Sequence, residues 1–407
     1  MKIALVHDWL IRLGGAERVL IAFHKIFPEA PIYTLFFDPK FVSQYLPKAK
    51  IIPSFLNRLA GAKKFHPWFK ILMPLAIESF DLRNFDAVFS SSHEFSHGIL
   101  TGPNTKHISY YHSPSRLLWD RTHEYVEDFK KRGKWQIKLS LIRLGQHFLR
   151  LWDYNSSKRP DIMIANSRHV AERIKKYYGR EAKVIYPPVE KPLGYSHFGN
   201  ARPHTTFRQN STPVFQKKPS LLVRLATKFY PTIRLGSRGS SMAIPCGLFD
   251  QNYFLIVSQL YPHKNIDLVI ETFKLLNFNL VIIGEGPERK RLEKLIGDRA
   301  NVKLLGFVTD SQLPHYYQNC SGYIIANEED FGISPLEAMS HGKPVLAFRS
   351  GGARETVLEG ITGKFFDKPG KNNLAQAVQS FNKEIKSGTY QEDKIKKHAQ
   401  KFGFERF

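Results

Sequence analysis

Cysteine is scarce in this chain: Cys246 and Cys320 are the only two among 407 residues. That excludes a multi-bridge disulfide scaffold and a cysteine-rich zinc site, and it fits a reducing compartment. Long apolar runs are also missing, and no stretch approaches the roughly 20 apolar residues that a transmembrane helix needs. The opening MKIALVHDWL is a short apolar run broken by His7 and Asp8. It lacks a small-residue cleavage site, so it reads as a strand and not as a signal peptide. The expectation is a cytoplasmic protein, with any membrane contact peripheral and at the inner face of the plasma membrane. Acids are few: 36 Asp and Glu stand against 60 Lys and Arg, a net charge of +24. Such a field attracts phosphates, whether of nucleic acid, anionic lipid or a nucleotide.

Core material is plentiful. Hydrophobic residues make up 42% and aromatics 13% of a chain too long for one core, which suits two domains. In the second half YFLIVSQL, NLVIIGEGP, VKLLGFV, GYIIAN and PVLAF are buried-looking strands separated by helical sequence. That alternation predicts a parallel sheet covered on both faces, a Rossmann-like domain over 251–390. In the first half KIALVHDW, IYTLFF, AVFSSS, HISYYH, IMIANS and KVIYPP repeat the pattern over 1–190. Between them residues 191–250 read as a basic, largely disordered insertion, in which 191–249 hold nine Lys or Arg and no acid. Its LLVRLATKFYPTIRL segment has the composition of a membrane-surface stretch, although a solvated basic insertion is the ordinary reading.

Two further stretches mix basic, aromatic and apolar residues: 62–77 and 131–152. In the second, Ile137, Leu141, Leu144, Phe148 and Leu151 fall at helical spacing. That stripe is read either as the core-facing side of an amphipathic helix or as a shallow membrane contact.

The chemistry concentrates in EEDFGISPLE, residues 328–337. Ser334, Pro335 and Glu337 fit an N-cap, first position and third position, so a capping box alone would account for Glu337. It would not account for Glu329, Phe331 or Gly332, which sit on the loop from a strand to a helix N-terminus. There backbone N–H groups meet a ligand, a carboxylate can accept sugar or ribose hydroxyls, and glycine permits close approach. Gly14 and Gly15 form a similar, plainer turn after the first strand, with Glu17 placed as a favourable charge in the first helical turn. His112 ends the HISYYH strand; His7 and Asp8 are weaker candidates for binding an acceptor. An Asp-x-Asp pair of the kind that holds a divalent ion is absent from the recognisable strand ends.

Glu329 and Glu337, with seven residues between them, followed by AMSHGKPV and SGGARE, resemble the E-x7-E region of the retaining glycosyltransferases of family 4. The resemblance runs from HDWLIRLGGAERVL through FDAVFSSSH, YHSPSRLLWD, IANSRHV, VIYPPV and SQLYPHKN to GITGKFF, and is nearest to mannosyltransferase-like members of bacterial O-antigen and polysaccharide assembly. It implies an α/β GT-B fold of two Rossmann-like domains facing across a cleft, with the final segment, 391–407, crossing back to the first domain. It implies that Glu329 binds donor-sugar hydroxyls with the N–H groups of Phe331, Gly332 and Ile333, and that Glu337 holds the ribose. Lys264 grips the diphosphate, Gly15 offers its backbone to it, and His112 contacts the reacting region. The family usually has arginine where this chain has Gln259; Arg18 or Arg349 are the neighbours that would compensate. No bound cation and no other cofactor are expected, since the nucleotide-sugar is a substrate. The partners implied are a nucleotide-sugar, with GDP-mannose preferred, and a lipid-linked saccharide. A UDP-sugar donor and a degenerate donor-binding protein remain alternatives. A nucleic-acid-binding protein is disfavoured for want of a recognisable motif.

Overall fold

Strand β1 (Ile3–Leu10) sends Ala4 and Val6 into one apolar cluster and Leu5 and Leu10 into another, all fully buried. A strand with both faces covered is apolar without interruption, which is why it read as a continuous run. The computed structural model describes residues 1–59, 66–131, 136–189 and 252–407. The expectations for 191–250 and for the first residues of 62–77 lie outside them.

The first sheet continues with β2 (Ile32–Phe37), β3 (Ile51–Pro53), β4 (Ala87–Ser92), β5 (Lys106–Tyr111), β6 (Ile162–Ala165) and β7 (Lys183–Val184), in the spatial order β3-β2-β1-β4-β5-β6-β7. The second contains β8 (Tyr253–Val257), β9 (Asn279–Ile283), β10 (Val302–Gly306), β11 (Gly322–Ile325), β12 (Val345–Phe348) and β13 (Gly363–Phe366), in the order β10-β9-β8-β11-β12-β13. Every pairing is parallel, with Val6 beside both Tyr33 and Ser90 in one sheet, and Leu255 beside Val281 and Tyr323 in the other. Each sheet therefore reverses its strand order next to its first strand. Such a reversal opens a crevice at the carboxyl ends of the strands.

Helices α1 (Gly15–Ile26), α2 (Pro39–Tyr45), α3 (Met73–Glu78), α4 (Thr122–Lys131), α5 (Gln136–Ser156) and α6 (Arg168–Tyr178) flank the first sheet. α5 departs from the core-facing reading of its stripe. Leu141 (63%), Leu144 (52%), Phe148 (55%) and Leu151 (48%) are exposed. The buried side of α5 instead carries Gln146, Leu149 and Asp153. Asp153 tethers the helix by accepting from Trp119 Nε1 at 2.7 Å and from the Tyr178 hydroxyl at 2.9 Å. The side chain of Ile137 is outside the described residues.

The two units touch at several points. Ile185 packs in the first core and Val189 in the second, and the Val189 N–H donates to the Phe402 carbonyl at 2.8 Å. Phe407 then packs on Phe23 and Tyr110 of the first unit, with ring centroids 5.2 and 5.9 Å apart.

Candidate functional site

Both crevices open on one cleft of about 700 Å³, within the range of small-ligand sites. It is lined by Gly15 and His112 from the first unit and by Gln259, Lys264, Glu329, Phe331, Gly332, Ile333 and Glu337 from the second. These nine residues share one surface, whereas His7, Asp8, Glu17 and Arg349, also singled out from the sequence, do not line it.

Glu329 follows β11. Lys264 Nζ lies 2.6 Å from its Oε1, and Asn327 Nδ2 donates to the same oxygen at 3.0 Å. The loop is fixed from outside: the Gly352 N–H donates to the Glu329 carbonyl at 2.8 Å, and Glu329 bridges to Gly351 in parallel register. A β-carbon at Gly351, where φ is +58°, would stand 2.1 Å from that carbonyl, so only glycine fits. This gives the SGG motif a physical task that its sequence alone did not disclose.

The capping-box expectation for Glu337 fails. Gly332 takes φ of +90° and the helix begins at Ile333, two residues before the expected first position at Pro335. Ser334 instead accepts from the Tyr323 hydroxyl at 2.9 Å. Glu337 therefore lies in the second turn, buried at 4% exposure, with Tyr317 Oη donating to its Oε2 at 2.8 Å and Arg18 Nη2 3.6 Å from Oε1. The N–H groups that open this helix have no intrahelical partner, an arrangement that suits an anion. Across the cleft, a β-carbon on Gly15 would come within 3.0 Å of Ile333 Cδ1, so the two helix N-termini meet closely.

His112 is neutral. Burial first, then the charges of His93 and His7, push its imidazole well below the ordinary histidine range. Its Nε2 is 2.8 Å from Ser91 Oγ, so it presents a fixed, uncharged hydrogen-bonding ring. His93 behaves oppositely: burial opposes its charge, but Asp8 outweighs burial and raises it to about 8.

Three expectations near β1 are corrected. Asp8 is wholly buried and accepts from the N–H groups of His93, Glu94, Phe95 and Ser96 at 2.7–2.9 Å, so it holds the loop after β4 and binds no acceptor. His7 is also fully buried. Glu17 is not an exposed helix-start charge: it is buried with its Oε1 3.7 Å from His7 Nε2. Burial disfavours the Glu17 carboxylate, yet His7 holds it below the usual range.

The cation beside Gln259 is neither Arg18 nor Arg349. Arg18 is held at the other end by Asp310 (3.4 Å) and Glu337, whose charges outweigh its burial and keep it protonated. Arg349 pairs away from the cleft with Glu359 and Asp367. Arg12, from the first unit, donates to Gln259 Oε1 at 3.3 Å. The sequence reading missed it, although it stands two residues before Gly14 in IRLGG. It also missed Asp330, which joins the units: Arg116 Nη2 is 2.7 Å and Arg173 Nη1 2.8 Å from its Oδ1, and Ser167 Oγ donates to its carbonyl at 2.7 Å. Burial opposes the Asp330 carboxylate, and the two arginines keep it ionised. Among the described residues no cluster of three or more His, Cys, Asp or Glu is arranged to hold a metal ion.

Residues 13–191 match the family model Glycosyltransferase Family 4, and residues 248–402 match Glycosyl transferases group 1. The chain is built from two glycosyltransferase domains. Their arrangement is the GT-B fold: HepE of Anabaena, solved with UDP-glucose, superposes with a TM-score of 0.64 over 100% of this chain and 96% of that one, at 18% identity. These glycosyltransferase domains are also similar to the alpha-1,3/1,6-mannosyltransferase ALG2 of Candida glabrata, 27% identical over 88% of this chain and 78% of the relative. The GDP-mannose-dependent alpha-(1-6)-phosphatidylinositol monomannoside mannosyltransferase of Mycolicibacterium smegmatis is 30% identical over 32% of this chain and 39% of its own length. Against several such curated relatives the match spans only 31–46% of the relative's length.

Proposed function

We propose that this chain is a retaining glycosyltransferase that moves a hexose, mannose from GDP-mannose, onto a lipid-linked or polysaccharide acceptor. The observation that carries the reading is the convergence of Lys264, Glu329 and Glu337 with Gly15 on one cleft between two parallel sheets. In this reading Glu337 takes the ribose hydroxyls, Lys264 and the opening N–H groups of helix Ile333–Ser340 take the diphosphate, and Glu329 takes hydroxyls of the sugar. Lys264 and Glu329 satisfy each other until the donor enters between their roles. Cation and helix N–H groups then stabilise charge that grows on the departing diphosphate, without a metal ion. Retention follows from front-face attack, with a donor phosphate oxygen accepting the acceptor's proton. His112, neutral and fixed, contributes a hydrogen bond near the reacting carbon and no charge.

The mannosyltransferase relatives support mannose. Glu285, which lines the cleft beside Phe307, supports guanine, because a carboxylate can accept from both N–H groups on that base's edge. The likeness to HepE, solved with UDP-glucose, favours the second reading, a UDP-sugar donor on the same site. The exposed α5 stripe supports peripheral attachment to a membrane that presents a lipid-linked acceptor.

Calorimetric titration with GDP, UDP, GDP-mannose and UDP-glucose in the presence of a chelator tests the reading. Binding of the guanine pair alone is expected, weakened about tenfold or more by Glu337→Ala through loss of a charged hydrogen-bond acceptor. Preference for the uridine pair would replace the donor. Absence of any binding would overturn the transferase reading.

A further inference from the structure

Among the described residues four basic side chains line the cleft: Arg12, Arg18, Lys40 and Lys264. Two are already neutralised. Lys264 meets Glu329 at 2.6 Å, and Arg18 meets Asp310 and Glu337 at 3.4 and 3.6 Å. Lys40 belongs to the first turn of α2, on the stretch whose far end meets Asp310 through Tyr45. Arg12 differs from all three. It reaches from the loop after β1 across to the loop after β8, and its Nη2 lies 3.3 Å from both Gln259 Oε1 and the Tyr261 hydroxyl. Its guanidinium carbon is 6.0 Å from the centre of the Tyr261 ring. Among the described residues these partners are neutral, and no carboxylate pairs with it.

A guanidinium that meets only an amide oxygen, a phenol and a ring keeps its full charge for a stronger acceptor, and its planar fork suits phosphate oxygens. We propose that Arg12 is the cation that completes the diphosphate site beside Gln259, supplied from the domain opposite Lys264. This rests on the nucleotide-sugar reading of the cleft and deepens it. The diphosphate then lies between a lysine of one domain and an arginine of the other. Only when the domains are together do both cations reach it, so donor binding and closure reinforce each other. Gln259 directs the fork while the site is empty.

The test compares a nucleoside diphosphate with its monophosphate, using whichever base the unaltered protein binds. Arg12→Ala is expected to weaken the diphosphate about tenfold or more and leave the monophosphate unchanged. Adding Gln259→Arg to Arg12→Ala should recover the loss, because a side chain at 259 ends where the Arg12 fork now rests. Equal diphosphate affinity in Arg12→Ala, a loss shared by the monophosphate, or no recovery in the double variant would overturn the proposal while the donor reading stood. If the unaltered protein binds no nucleoside diphosphate, the donor reading itself falls, and this proposal with it.

Discussion

Asp8 illustrates how far a residue's role can lie from its sequence appearance. An acid just inside the end of a strand at a crevice suggests ligand contact, yet this one spends its acceptors on four consecutive backbone N–H groups and on His93. Burial alone would neutralise it; His93 and those bonds hold the carboxyl far below the usual range. Its folded-state pKa is depressed, so its contribution is present above the unfolded value and is lost as pH falls toward the folded one. Asp8→Asn replaces an acceptor-only group by one with a single acceptor oxygen and strands several buried N–H groups. A loss of about 3 kcal/mol is expected in urea unfolding at neutral pH. A change below about 1 kcal/mol would remove the loop-holding role. Nothing in the sequence linked position 8 to positions 93–96, because that link needs β1 and β4 to be neighbours. The placement of Glu329 and Gly332 on the loop between a strand and a helix was legible, since it follows from local order, whereas Lys264 entered through the resemblance alone. Arg12 was not legible, since its partners lie 247 and 249 positions away.

At the scale of elements, all strands among the described residues except β3 and β13 were legible, because strands buried on both faces leave uninterrupted apolar runs. The order of those strands was not, and α5 shows a second limit. Its spacing gave one apolar stripe, and periodicity cannot say whether that stripe faces inward. The side with Asp153 does instead, where Trp119 and Tyr178 donate to one oxygen of the buried carboxyl, which burial raises to about 7 against their hydrogen bonds. The outer arc of Leu141, Leu144, Phe148 and Leu151 stays in solvent. Four large apolar side chains in a row on one helix, with Arg143 exposed beside them, form a surface that a bilayer interface would cover. Flotation with vesicles rich in anionic lipid should carry the protein upward. Leu144→Asp combined with Phe148→Asp should leave it at the bottom without lowering its urea midpoint. Unaltered flotation of that variant would take the contact away from α5.

For the whole molecule the decisive contacts are those between the units, and apart from the return of the final segment, which the resemblance implied, sequence gives no warning of them. Asp330, between Glu329 and Phe331, gathers Arg116 and Arg173 from the first unit, so the loop that carries Glu329 also carries the clasp. Asp330→Asn removes the counter-charge that the two guanidiniums share, leaving Arg173 its pair with Asp120 and Arg116 a longer one with Glu328 at 3.5 Å. It should weaken closure by about 2–3 kcal/mol. X-ray scattering should report a larger radius of gyration for this variant, together with weaker donor binding. An unchanged radius would mean that the clasp does not set the spacing.

The chain passes between the two units at 185–189 and again at 402–407, and the Val189–Phe402 hydrogen bond lays these passages side by side. A gate hung on one pin can twist, tilt and swing, whereas one hung on two adjacent pins keeps mainly a swing. The lost freedoms need not be frozen out when a donor binds, so the entropy of ordering falls largely on a single rotation. Arg12 can then find its place opposite Lys264 by travelling along an arc already drawn.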